Sequence, residues 1–412
     1  MRARHSIFAP AMLVLAAMST GAQAEAAPPT PANKRNCQNT VPFNRWVADF
    51  KKEALAEGIH AETIQSMIGG LTPDMSVISR DRKQSFFSQT FAQFYFKLAT
   101  KNREDTGRVY LKRYHELFDR AEKEFGVPGP VITGFWALES DFGAGQGKLP
   151  VVRSLLTLAW DCRRSDLFRE ELKAAMKIVE RGDLTADQLI GSWAGELGQT
   201  QFLPRHYYNF AVDYDNDGRR DLINDRADII GSTAKFIASL GWRRGEPWLE
   251  QVKVTKDLPW EKADLAIKLP RSQWVAWGVT GVGDALPNDE MPASLILPMG
   301  RHGPAFLAYD NFGIYPQWNQ SLTYATTAAH LAARMAGAPN LSKNIGNVPS
   351  LSYEELKELQ RLLNRRGHDV GEIDGKLGAG TRKAVKEMQL EFGLPADSYP
   401  TAELLSALRG RS

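Results

Sequence analysis

Val127-Pro128-Gly129-Pro130-Val131-Ile132-Thr133-Gly134-Phe135-Trp136-Ala137-Leu138-Glu139-Ser140-Asp141-Phe142-Gly143 opens with prolines and closes on a glycine. Proline suits the first turn of a helix, and glycine suits the stop. Glu139 lies three, four and seven residues after Trp136, Phe135 and Ile132, so on a helix all four share one side. A carboxyl group in such apolar company is partly desolvated. That raises its pKa and keeps it protonated near neutral pH, the property required of a general acid for a glycosidic oxygen. At this point an ordinary helix-end glutamate paired with a nearby Arg or Lys remains the alternative.

Outward from this segment the chain reads as mostly helical. Phe43, Trp46, Val47 and Phe50 recur at helix spacing, and helical character continues to about Leu117. An aromatic stripe of Phe87, Phe91, Phe94, Tyr95 and Leu98 reads as core packing on one helix face. Helix dominates again over 128–240. Between about 243 and 310 Pro, Gly and Trp become frequent, and alternating runs such as Gln251-Val252-Lys253-Val254 suggest strands. Helix returns at Ser321 to Met335. Ala336 to Pro349, rich in Gly, Pro, Asn and Ser, reads as a linker. Beyond it, Leu356, Leu359, Gln360, Leu362 and Leu363 form an amphipathic helix, and Thr381, Ala384, Val385, Met388 and Phe392 form a second.

The chain has 412 residues and a formal charge of +3, enough length for two or three domains. Its first 24 residues form a secretory signal pattern. Arg2, Arg4 and His5 make a basic start, Ile7 to Met18 a short apolar run, and Ala22-Gln23-Ala24 a small-x-small cleavage site. The run is too short to span a bilayer, which needs about 20 residues, and no other stretch is long enough. A periplasmic location without a transmembrane anchor is therefore expected. Without this segment the charge falls by two, to +1. Such a near-neutral chain, with no recognition motif, is not expected to bind nucleic acid. Cys37 and Cys162 are the two cysteines. In an oxidising compartment they are read as a disulfide, which closes a loop long enough to contribute on the order of 4–5 kcal/mol by chain entropy. A catalytic thiol is the alternative, but neither cysteine has a motif around it.

Trp136-Ala137-Leu138-Glu139-Ser140-Asp141-Phe142-Gly143 resembles the catalytic Glu-Ser/Thr block of lytic murein transglycosylases of the membrane-bound type B family. Two further blocks follow in the matching order. Gly191-Ser192-Trp193-Ala194-Gly195-Glu196-Leu197-Gly198-Gln199-Thr200-Gln201-Phe202-Leu203-Pro204 is similar to the family's second signature. Asn311-Phe312 to Trp318-Asn319-Gln320-Ser321-Leu322-Thr323-Tyr324 is similar to its Tyr-Asn-x-Ser-x-x-Tyr segment. The resemblance covers about residues 40–340. It implies a mainly α fold: a lysozyme-like α+β catalytic domain with a small β-containing insertion, over 41–338. It also implies Glu139 as acid and base, with Ser192 and Gln201 near the scissile bond, and Asn319 and Tyr324 orienting an N-acetylmuramoyl unit. Trp318 stands where the family has tyrosine, which keeps a stacking role but not a hydroxyl contact. Glu196 replaces a small residue and is read as a solvated loop glutamate.

The implied reaction cleaves the MurNAc-GlcNAc β-1,4 bond of peptidoglycan glycan strands and leaves 1,6-anhydro-MurNAc ends. No cofactor is required for it. The alternatives are a muramidase that uses water and a non-catalytic wall-binding or scaffold protein. Asp213, Asp215, Asp217 and Asp221, with Gly218, open like an EF-hand loop, making a structural calcium site a candidate. Asn224 stands where the motif's bidentate glutamate belongs, and an Asp/Gly turn held by local hydrogen bonds is the alternative. The tail resembles a peptidoglycan-binding domain in Leu359-Gln360, Leu363, Gly367, Asp374-Gly375, Gly378, Thr381, Ala384-Val385, Gln389 and Gly393-Leu394. The expected organisation is a signal peptide at 1–24, a leader at 25–40, the catalytic domain at 41–338, a linker at 339–349 and a three-helix binding domain at 350–412.

Overall fold

The computed structural model describes residues 37–83, 89–342, 345 and 348–410. The signal segment, most of the leader and Phe87 lie outside these residues. Helices Phe43–Ala56, Ala61–Ile68, Met75–Lys83, Phe91–Leu98, Lys101–Arg113 and His115–Phe125 lead into the Glu139 helix, Gly129–Ser140. This helix is buried along almost its whole length, from Val131 to Leu138 without a break. It ends where Asp141 (φ 52°), Phe142 (φ 58°) and Gly143 (φ 96°) turn left-handed. Each fully buried large apolar side chain in such a helix is worth about 1.5–3 kcal/mol.

A short ribbon of β1 (Leu149–Pro150) and β2 (Ile190–Gly191) brackets two more helices, Val151–Trp160 and Ser165–Glu180. The insertion between helix Arg226–Ser239 and the chain's return to helix is a five-stranded antiparallel sheet. Its strands are β3 (Leu249–Val254), β4 (Leu269–Pro270), β5 (Val279–Gly281), β6 (Pro292–Ile296) and β7 (Ala305–Ala308), in the spatial order β4-β6-β7-β3-β5. β7 alternates between two cores. Phe306 and Ala308 join the main helical core, while Ala305 and Leu307 join a second one with Trp274, Val279 and Leu295. The sheet is therefore covered on both faces.

Helix Leu322–Met335 is the second element that builds the site. Ser321 caps its start, its hydroxyl accepting the Tyr324 N–H. It packs directly on the Glu139 helix because Gly134 has no side chain. A Cβ there would meet the Ala332 Cβ at 3.0 Å and the Ala328 carbonyl oxygen at 3.3 Å. Trp248 donates its indole N–H to the Ala329 carbonyl at 2.9 Å, tying the helix to the chain just before β3. At its far end Arg334 pairs with the buried Glu104, and Tyr95 hydrogen-bonds His330 at 2.7 Å.

Near the N-terminal side, a disulfide joins Cys37 to Cys162, with Cα atoms 6.0 Å apart. The Asn39 side chain accepts the Cys162 N–H at 2.8 Å, so the start of the described chain is fastened to the loop after helix Val151–Trp160.

The tail has three helices, Tyr353–Arg365, Ala379–Glu391 and Ala402–Gly410, around a core of its own that includes Leu359, Leu363, Val385 and Leu404. It does not hang free. Arg382 donates to the Pro298 carbonyl at 2.8 Å, Lys386 pairs with Asp264 at 2.6 Å, and Asp397 accepts the Arg301 N–H at 2.9 Å. Tyr399 joins the main core, as does Leu341 of the stretch read as a linker.

Candidate active site

Glu139 sits in the last turn of its helix, and two groups from the far end of the chain converge on one of its oxygens. The Trp318 indole N–H donates to Oε1 at 2.8 Å, and the Tyr324 hydroxyl donates to the same atom. Oε2 is left to carry the proton. Burial pushes the Glu139 carboxyl up to about 7, the Tyr324 bond opposes that rise, the nearby Glu196 charge adds to it, and the Trp318 bond opposes it. At neutral pH a substantial share of molecules therefore hold a proton at the end of an apolar helix. Trp318 itself lies against Phe135, with ring centroids 4.3 Å apart, and near Phe202 and Phe236. Besides its ring, Trp318 thus offers Glu139 a hydrogen-bond donor.

The loop from β2 to Pro204 is locked onto this helix end. Gln199 accepts the Trp136 indole N–H at 2.9 Å and donates to the Ile223 carbonyl at 2.7 Å, while its own carbonyl accepts the Ser140 hydroxyl. Ser192 lies on this loop. Gln201, with φ at 51°, spends its amide hydrogens on the carbonyls of Gly198 (2.8 Å) and Gln146 (3.2 Å), which holds the turn. Asn319 is exposed and its side-chain oxygen accepts the Ser321 N–H at 3.1 Å, just ahead of the cap. Glu139, Trp318 and Tyr324 are thus in direct contact, Ser192 and Gln201 stand on the adjoining loop, and Asn319 stands at the helix entrance. Sequence reasoning passed over Gln199, although it lies inside the second block.

The acidic loop differs from its expected ligand set. Carboxylate oxygens of Asp213, Asp215 and Asp228 lie within 4.8 Å of one another. Asp217 turns its carboxylate to the Arg219 N–H at 2.8 Å, and Asp221 accepts the N–H groups of Ile223 and Asn224, both at 2.9 Å. These two cap the turn and do not join the cluster. Asp228, on the first turn of helix Arg226–Ser239, completes the trio and accepts the backbone N–H of Tyr214 (2.6 Å) and of Asp221 (2.7 Å). Burial, with the neighbouring Asp225 and Asp215 charges adding to it, pushes Asp228 up to about 6, and Asp215 is raised as well. Three converging hard oxygen donors that repel one another suit a calcium ion.

The family description of the transglycosylase SLT domain matches residues 42–333, and that of a peptidoglycan binding domain matches 352–408. The structure of SltB3 from Pseudomonas aeruginosa, solved with a NAG-anhNAM-pentapeptide, is 38% identical in sequence. It covers 89% of this chain and 99% of its own, with a TM-score of 0.82. Membrane-bound lytic murein transglycosylase B of Escherichia coli (strain K12) is 27% identical over 310 residues, 74% of this chain and 84% of the relative. Escherichia coli Slt35, solved in complex with calcium, is 26% identical with a TM-score of 0.60, over 70% of this chain and 92% of its own.

Proposed function

The chain belongs to the lytic murein transglycosylases of the membrane-bound type B family, and from that premise we propose how its own residues cleave peptidoglycan. Glu139 gives the proton on Oε2 to the glycosidic oxygen, and the GlcNAc leaving group departs as an alcohol. The N-acetyl group of the muramoyl unit stabilises the positive charge at C1. Glu139, now ionised, takes the proton from the muramoyl 6-hydroxyl as that oxygen bonds to C1. The acid is regenerated, and the product carries a 1,6-anhydro ring.

A carboxyl with pKa near the working pH can serve in both directions, and one carboxylate suffices because the nucleophile comes from the substrate. In a two-carboxylate glycosidase the second acid is the nucleophile or the base for water. The observation that carries this reading is the pair of donors from Trp318 and Tyr324 on a single oxygen of a buried acid. They fix the carboxyl's orientation and leave the other oxygen for the transfer. Ser192, Gln201 and Asn319 contact the glycan beside it, while Trp318 and Tyr324 act chiefly by holding Glu139.

Asp213, Asp215 and Asp228 would hold a structural calcium ion, which would supply positive charge to the turn. No step of the reaction passes through it. The tail binds wall polymer and raises the local concentration of Glu139 near its substrate. The Cys37–Cys162 bond supports export to an oxidising compartment, the periplasm. The test is Glu139→Gln, whose amide neither gives nor takes the proton. The variant should sediment with sacculi as the parent does yet release no soluble fragments. Release within tenfold of the parent would remove Glu139 from the mechanism.

A further inference from the structure

Gln199 is 2% exposed, and each of its four polar atoms makes a hydrogen bond. Two of these bonds face the Glu139 helix. The Trp136 indole N–H donates to Oε1 at 2.9 Å, and the Ser140 hydroxyl donates to the main-chain carbonyl. Trp136 and Ser140 lie on either side of Glu139 in the chain, so the last turn of the helix is held around the acid. The other two bonds face away from it. Nε2 donates to the Ile223 carbonyl at 2.7 Å, and the main-chain N–H donates to the Leu222 carbonyl at 2.9 Å. The contact is close on both sides. A Cβ on Gly143 would lie 2.7 Å from the Gln199 amide carbon, and one on Gly198 would lie 2.6 Å from the Leu222 oxygen.

Leu222 and Ile223 follow directly on the acidic turn. Asp221 accepts the Ile223 N–H at 2.9 Å and gives its own N–H to Asp228 at 2.7 Å. Asp228 also holds the Tyr214 N–H, and it is one of the three acids whose oxygens converge. Hydrogen bonds and short chain segments therefore run without a gap from this cluster, through Gln199, to the helix end that carries Glu139.

We propose that Gln199 is a positioning residue for Glu139, and that it passes order in the acidic turn on to the acid through Leu222 and Ile223. This rests on the reading of Glu139 as acid and base and of Asp213, Asp215 and Asp228 as a cation site. Repulsion among the three carboxylates works against the arrangement in which Asp228 grips the Asp221 N–H, and a cation relieves it. The Leu222 and Ile223 carbonyls then stay where Gln199 meets them. A loosened helix end displaces the acid from the glycosidic oxygen, and about 1 Å of displacement costs on the order of 10²-fold in rate. Gln199 is buried and makes its bonds within the protein, so its effect belongs to kcat.

The test measures kcat and KM on soluble glycan fragments, and the melting temperature, each with calcium and with a chelator. Calcium should raise the parent's melting temperature and raise kcat about three- to tenfold, with KM constant within about twofold. Gln199→Met keeps the volume but breaks the side-chain bonds, and Ser140→Ala breaks the bond to the main-chain carbonyl. In the double variant calcium should raise the melting temperature as in the parent yet change kcat by less than about 1.5-fold. A double variant in which calcium still raises kcat as in the parent overturns the proposal. So does a parent whose melting temperature responds to calcium while its kcat does not. If the double variant fails to fold, judged by its melting curve, Gln199→Glu decides, because it keeps an acceptor for Trp136 but loses the donor to Ile223. Its ratio of kcat with calcium to kcat with chelator should fall to about half the parent's or less, and an unchanged ratio overturns the proposal. A parent melting curve indifferent to calcium would instead remove the cation site, and an active Glu139→Gln the acid, and the proposal falls with either.

Discussion

Glu139 stands on a buried helix with hydrogen-bond donors on one oxygen, whereas Asp213, Asp215 and Asp228 gather on a turn where two of the three reach solvent. Both places raise carboxyl pKa values. At Glu139 the main cause is loss of water, and the helix that removes the water also fixes the geometry. At Asp228 burial is joined by the repulsion of neighbouring acids, a repulsion that a cation relieves. The first arrangement stores a proton for transfer, and the second makes a place for a metal. The difference is in what surrounds each acid, since the side-chain chemistry is nearly the same.

The largest expected effect falls on the first region. Glu139→Gln should lose about 10²–10⁴-fold in cleavage, the usual share of acid–base catalysis. The parent's cleavage should decline as pH rises through about 7, where Glu139 gives up its proton. Stability carries the same signature. Because the folded-state pKa lies above the unfolded value, the native protein binds more protons between about pH 4.5 and 7, and stability falls with rising pH across that window. Glu139→Gln should then melt higher than the parent at pH 8, by roughly 1–3 kcal/mol in stability. An equal or lower melting temperature there would mean that Glu139 bears no burial penalty.

The second region should respond to calcium instead. Added calcium should raise the melting temperature and a chelator should reverse the rise by mass action. The gain should grow as pH rises past about 6, because Asp228 must be ionised to ligate. Asp228→Asn should abolish the response, while Asp217→Asn should leave most of it. A response that survives Asp228→Asn would place the ion elsewhere. The smallest effect on chemistry concerns the tail. Removing residues 345–412 should leave cleavage of soluble fragments within a few-fold of the parent and weaken action on sacculi. It should also lower the melting temperature, since Tyr399 leaves the main core and Arg382 leaves the Pro298 carbonyl.

Much of this was legible before any coordinates. The helix around Glu139, its glycine stop, the strand at 251–254 and the helix starting after Ser321 all follow from spacing within one element. Contacts made across the chain were not. Tyr324 and Glu139 lie 185 positions apart, and only the resemblance, not the pattern of either segment, brought both to one site. Asp228 escaped notice because it lies beyond the twelve positions of an EF-hand loop, on a helix turn whose start is capped by Asp225. Glu196 looked like any loop glutamate, whereas it is half-buried in a turn whose Gly195 packs against Leu155 of another helix. The stretch before the tail looked like a free linker, whereas Arg382 and Asp397 of the tail find partners in the main body.

In the proposed reaction one carboxyl group, with no second acid as nucleophile, closes the ring on the product. Mass spectrometry of sacculi digested to completion tests it most directly. The parent should release muropeptides ending in 1,6-anhydro-MurNAc, one water lighter than hydrolytic products, and Glu139→Gln should release none. Reducing MurNAc ends as the main product would contradict it, and would make water, not the 6-hydroxyl, the group that Glu139 deprotonates.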